Sequence, residues 1–102
     1  MRAPFLVPAL LRFSGASARQ DGWGRLLELT AGGARLSTSS TLAKGESVHV
    51  VFELGGDKLS ILARVHHAGQ DDDGQCLADL SWSDMVERRR LARALLQVLA
   101  KS

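Results

Sequence analysis

Cysteine occurs once in these 102 residues, tyrosine not at all, and proline only as Pro4 and Pro8. A lone Cys76 rules out an intramolecular disulfide and a cysteine-based metal cluster, and it suits a reducing, cytoplasmic setting. It precedes Leu77 and Ala78 in an apolar run, which reads as a small core residue rather than a catalytic thiol. Three Phe and two Trp give no aromatic platform for stacking nucleobases. No apolar run approaches the roughly 18 residues of a membrane span. The stretch from Met1 to Leu11 is short, holds both prolines and is followed by Arg12, so it does not read as a signal peptide. Thirteen Lys and Arg against eleven Asp and Glu leave a net charge of +2, too weak a field to imply DNA or RNA as a partner.

Hydrophobic content of 45% is that of an ordinary globular protein, and the length fits one core. One domain over 1–102 is expected, with 1–9 a flexible N-terminal segment and 83–100 a helix. Strands are expected over Leu10–Ser14, Arg25–Leu29, Ala34–Ser37, Ser47–Leu54, Leu59–His67 and Cys76–Trp82, with 15–24 a loop. The clearest is Ser47–Leu54, where Val48, Val50 and Phe52 alternate with Ser47, His49 and Glu53. Val51 breaks that alternation. Gly55-Gly56-Asp57 predicts a tight hairpin, and Asp71-Asp72-Asp73-Gly74 a second hairpin tip. From Ser83 the period changes: Met85, Val86, Leu91, Leu95, Val98 and Leu99 recur at helical spacing. Ser83 is the expected N-cap, with Asp84 and Glu87 favourable in the first turn. Six strands followed by one amphipathic helix predict a closed or nearly closed antiparallel barrel, with the helix plugging one end or covering an edge.

The most informative stretch is Glu28-Leu29-Thr30-Ala31-Gly32-Gly33-Ala34-Arg35-Leu36. Glu28 and Thr30 are two apart at the end of an apolar run, so both side chains leave the same face of a strand. The double glycine predicts a tight reversal with positive φ. Two readings stand side by side: a ligand-facing rim, or solvent-facing residues before a turn.

In slightly altered form this stretch resembles the Asp/Asn-x-Ser-x-x-Gly signature of PilZ domains, small β-barrels that receive cyclic di-GMP. Glu28 stands where Asp or Asn is usual, Thr30 where Ser is usual, and Gly33 matches. Leu42-x-x-Gly45-x-x-Val48, the two hairpins and the terminal helix follow in the family's order. The resemblance implies a six-stranded antiparallel PilZ-like β-barrel with one C-terminal α-helix. It also implies an Arg-x-x-x-Arg segment before the first strand, whose guanidiniums grip phosphates and guanine faces. The alignment places Arg2 at its first position and Leu6 at its second, so one arginine is absent. Arg2, Glu28, Thr30 and Gly33 are the implied ligand-binding residues. The implied function is a non-enzymatic regulatory adaptor in bacterial cyclic di-GMP signalling or motility, including type IV pilus systems. It would act through protein contacts, with weak or absent nucleotide binding. The alternative is a genuine cyclic di-GMP receptor with a variant site, in which Arg12 or Arg19 joins Arg2.

The remaining features are weaker. His66 and His67 are adjacent on a strand and so point to opposite faces, which argues against one shared metal ion. The Asp71–Asp73 run lacks the alternating ligands and bidentate Glu of a calcium loop. Arg88, Arg89, Arg90 and Arg93 make the helix basic. Arg89 and Arg93, four apart, share a face and are the candidate partner-binding pair. Trp82 reads as a packing anchor between barrel and helix. No nucleophile stands with a paired His and acid, and no phosphate-binding Gly-Lys loop is present, so no enzyme, resident cofactor or metal is expected.

Overall fold

The structure, a computed structural model, describes residues 7–13, 20–82 and 84–101, the last three by backbone alone. Six strands, β1 (Val7–Arg12), β2 (Gly22–Thr30), β3 (Gly33–Thr38), β4 (Ser47–Leu54), β5 (Asp57–Gln70) and β6 (Cys76–Ser81), precede one helix, α1 (Met85–Lys101). They close into an antiparallel barrel in the order β1-β2-β3-β6-β5-β4. This is the mainly β architecture expected, with β1 beginning at Val7 rather than Leu10 and β2 reaching back to Gly22. Gly22-Trp23-Gly24 is strand, not loop. The barrel closes where Leu10–Arg12 of β1 pair with His49–Val51 of β4.

Alternation builds the core. On β4, Val48, Val50, Phe52 and Leu54 point inward, and on β5 Leu59, Ile61, Ala63 and Val65 do. Leu26, Leu29, Leu36, Ala78 and Leu80 complete the interior from β2, β3 and β6. Cys76 lies in this core as expected. Val51 is apolar yet outward, paired in register with Leu10 of β1, which accounts for the broken alternation.

Two β-bulges interrupt the inward-outward rhythm. One lies on β2 between Leu26 and Glu28, the other on β5 between Val65 and His67. A bulge inserts one residue, so every side chain beyond it changes face. Without the first, Glu28 and Thr30 would follow Leu26 into the core. Without the second, His67 would follow Val65. With both, all three point outward, and His66 and His67 are both exposed. The expectation of opposite faces for the two histidines fails at this bulge.

The helix closes the barrel end that carries the β2–β3 and β4–β5 turns. Leu91, Ala94 and Leu95 are buried there, each Leu contributing about 1.5–3 kcal/mol by leaving water. Val98 reaches Gly55, one of two adjacent glycines with positive φ (61° and 89°) in the β4–β5 turn. Met85 and Val86, expected on the apolar stripe, are exposed instead, because that stripe is carried by Leu91, Leu95 and Val98. The expected cap Ser83 lies outside the described residues. Asp84 caps the helix: its Oδ1 accepts from the backbone N–H of Val86 at 2.9 Å and Glu87 at 3.2 Å.

Asp84→Ala removes this cap and is expected to cost about 1 kcal/mol, read as a lower melting temperature with unchanged strand signal in circular dichroism. Leu91→Ala opens a cavity under the helix, and its expected cost of about 2–5 kcal/mol is to be measured by urea unfolding.

Candidate functional site

Outside the barrel, the bulges bracket one cross-strand row. Glu28 of β2 lies opposite Arg35 of β3, Arg35 opposite Asp79 of β6, and Asp79 opposite His67 of β5. The two end residues, Glu28 and His67, are those the two bulges turn outward. Arg35 Nε lies 3.2 Å from Asp79 Oδ1. Both side chains are about half exposed, so the pair adds at most about 1 kcal/mol of stability. The row thus alternates in sign, with a single guanidinium between two carboxylates.

The next row toward the helix runs Thr30, Gly33, Ser81, Arg64. Ser81 Oγ and His66 Nε2 are hydrogen-bonded. A hydroxyl beside an imidazole is the start of a nucleophile–base pair, but no acid is bonded to the far ring nitrogen of His66 among the described contacts.

The Thr30–Gly33 turn closes this face. Its geometry differs from the expectation. Neither Gly32 nor Gly33 has positive φ; among the described residues that conformation belongs to Gly45, Gly55, Gly56 and Gly74. Gly33 is required by proximity: a methyl group there would overlap the carbonyl oxygen of Leu80 on β6. The reversal itself is held by Thr30. Its Oγ1 accepts from the N–H of Gly32 at 3.3 Å and of Gly33 at 3.2 Å, and lies 3.2 Å from the carbonyl oxygen of Gly33, to which it can donate. The hydroxyl proposed to read a ligand is therefore engaged by its own turn.

Trp82 and the helix lock the turn from the other side. Its indole Nε1–H donates to the carbonyl of Ala31 at 2.8 Å, and its backbone N–H to the carbonyl of Gly32 at 3.2 Å. The Arg88 guanidinium lies across Gly32, close enough that a Cβ there would come within 2.7 Å of Nη2. Trp82 is buried and hydrogen-bonded to this turn of the barrel.

Of the site residues expected from sequence, Glu28, Thr30 and Gly33 share this rim, while Arg2 lies outside the described residues. Arg89 and Arg93 sit apart from it on α1, both exposed. Asp79 and Ser81 are additional to the residues the sequence points to, and Arg35 and His66 enter the site in roles the sequence does not assign them. Strand alternation flags Arg35 and Asp79 as outward, but their meeting depends on the β3–β6 pairing, which no local pattern encodes.

Thr30→Val leaves the Gly32 and Gly33 N–H groups without their acceptor. It is expected to destabilise the domain by about 1–3 kcal/mol, whereas Thr30→Ser keeps the acceptor and stays within about 1 kcal/mol of the parent. Chemical denaturation of the two variants side by side measures the difference.

Among the solved structures similar to this fold are the following three. The Bacillus subtilis inhibitor of motility MotI/DgrA superimposes with a TM-score of 0.71 at 14% identity, over 99% of this chain and 50% of that one. The PilZ domain of CeSA from a cellulose-synthesizing bacterium gives 0.65 at 20% identity, over 99% and 97%. The PilZ domain of Escherichia coli YcgR, solved with c-di-GMP, gives 0.69 at 13% identity, over 95% and 90%. The chain therefore spans about half the length of the motility inhibitor, and identities this low establish the fold alone. No curated protein matches the chain. The family model described as PilZ domain matches residues 1–97, and with the closed six-stranded barrel, its terminal helix and the Glu28–Gly33 turn in place, the chain belongs to the PilZ domain family.

Proposed function

We propose that this domain is a non-enzymatic regulatory adaptor in cyclic di-GMP signalling or motility, acting through protein contacts with weak or absent nucleotide binding. The observation that carries the reading is the charged row. Arg35 is held by Asp79 and faces Glu28 in register, so a dianionic ligand would meet two carboxylates and one engaged guanidinium. Leu6 in place of a second arginine removes a further cation, and the Thr30 hydroxyl is committed to its turn. A charge-assisted contact to a phosphate contributes roughly 1.5–3 kcal/mol, about tenfold to more than a hundredfold in affinity.

Output then falls to other surfaces. Arg89 and Arg93 on α1 remain the candidate partner-binding pair: Arg90 leans toward Glu87 at 3.8 Å and Arg88 covers Gly32, leaving these two to meet an acidic partner. The similarity to a motility inhibitor supports a partner within such a system. A cytoplasmic setting fits the single, buried Cys76.

The second reading, a receptor with a variant site, is favoured by one observation: Glu28 and Gly33 share a rim in the fold that carries c-di-GMP in YcgR. Arg2, with Arg12 or Arg19, would supply the cations, and Glu28 and Thr30 would read the guanine edge.

Calorimetric titration of the chain with cyclic di-GMP decides between them. The adaptor reading expects no saturable heat up to about 100 μM ligand. It also expects Leu6→Arg to raise affinity about tenfold or more where the rest of the pocket is competent. Micromolar binding by the parent chain, lost in Glu28→Ala and Arg2→Ala, would establish the receptor reading and remove the adaptor one.

A further inference from the structure

The barrel's other outer face, formed by β1, β2 and β4, has a different character. Trp23 is 66% exposed, and Leu10 and Val51 are half-buried. Trp23, Leu10 and Val51 lie in one register row across the three strands. A cleft of about 470 Å³ runs over Leu10 and Val51, between Trp23 at one side and Lys58 at the other. An outward-facing apolar row with an exposed indole at its end, on a face where alternation calls for polar residues, marks a contact surface.

Charges flank this row on both sides, in a pattern that repeats in reverse. Toward the helix end, Arg25 lies opposite Pro8, and Glu53 opposite Lys58. Toward the other end, Asp21 pairs with Arg12 at 3.7 Å, and Arg12 lies opposite His49. A twofold axis laid along the apolar row sets each flank of one copy on the opposite flank of the other. Trp23, Leu10 and Val51 then meet their own counterparts, Arg25 meets Asp21, and Glu53 meets His49 with Arg12 beside it. A partner of one charge sign would find both signs waiting.

We propose that this face is a self-association surface on which a second copy of the chain docks by this twofold, an isologous contact. Three strands about 4.8 Å apart and three rows about 7 Å apart cover roughly 300 Å² per copy. That is well under the roughly 800 Å² per partner of a standard interface, so the dimer is weak and forms at high concentration. The inference is independent of whether the charged row binds a nucleotide.

Sedimentation equilibrium of the full chain from about 10 μM to about 1 mM, the range a small interface requires, tests it together with tryptophan emission. The mass should rise from 11.0 kDa toward twice that value. Emission should shift to the blue in step as Trp23 leaves water, with buried Trp82 a constant background. Trp23→Ser, at an exposed site, should keep the parent's melting curve and stay monomeric. Arg25→Asp sets two carboxylates together twice per dimer and should weaken association about five- to tenfold. A monomer throughout the range, a dimer undiminished in Trp23→Ser, or association unchanged in Arg25→Asp overturns the proposal.

Discussion

Closure of the barrel is the constraint from which the rest follows. Once β1 and β4 pair, every strand has an inside and an outside, and each residue is assigned to one by its parity. Among the described residues, interior positions are filled by Leu, Val, Ile and Ala with Phe52 and Cys76, and the buried polar side chain is Thr38, whose hydroxyl donates to the Trp23 carbonyl at 2.7 Å. A side chain becomes available for recognition only by holding outward parity or by gaining it at a bulge. The two bulges act on β2 and β5, the strands that bound the β3–β6 pair. That is why a contiguous charged row, rather than scattered polar residues, appears on one flank. The opposite flank has no bulge, and its outward apolar residues come from the strand pattern itself.

The second organising element is the latch between barrel and helix. Thr30 folds the β2–β3 turn, Gly33 lets it press against Leu80, and Trp82 bonds two successive carbonyls of it. One short segment thereby satisfies its own backbone and ties the residue after β6 to the β2–β3 turn. Residues that a ligand-centred view assigns to recognition are here doing structural duty as well.

Much of this was legible in the sequence, for identifiable reasons. The strand Ser47–Leu54 was placed to the residue because alternation over eight positions is a strong signal, and the core face of β5 followed from the same period. The helix was legible from Leu91, Leu95 and Val98. Where the reading failed, the deciding contact was distant in sequence. Positive φ was expected at Gly32 and Gly33, whereas Gly33 is demanded by a strand 47 residues further on. The bulge at His66 has no local marker, so both histidines facing outward was not foreseen. Glu28 was rightly placed on the outside, yet the partner that colours its chemistry, the Arg35–Asp79 pair, required the β3–β6 register. Val51 stood out as an exception to its strand, and its outward row with Leu10 and Trp23 shows what that exception builds.

The Trp82 latch carries one more consequence. The indole and amide of Trp82 hold the β2–β3 turn, and Arg88 of α1 lies across Gly32 of that turn. A side chain added at Gly32 therefore displaces the Arg88 guanidinium, so the turn that borders the charged row and the first turns of the helix do not vary independently of one another.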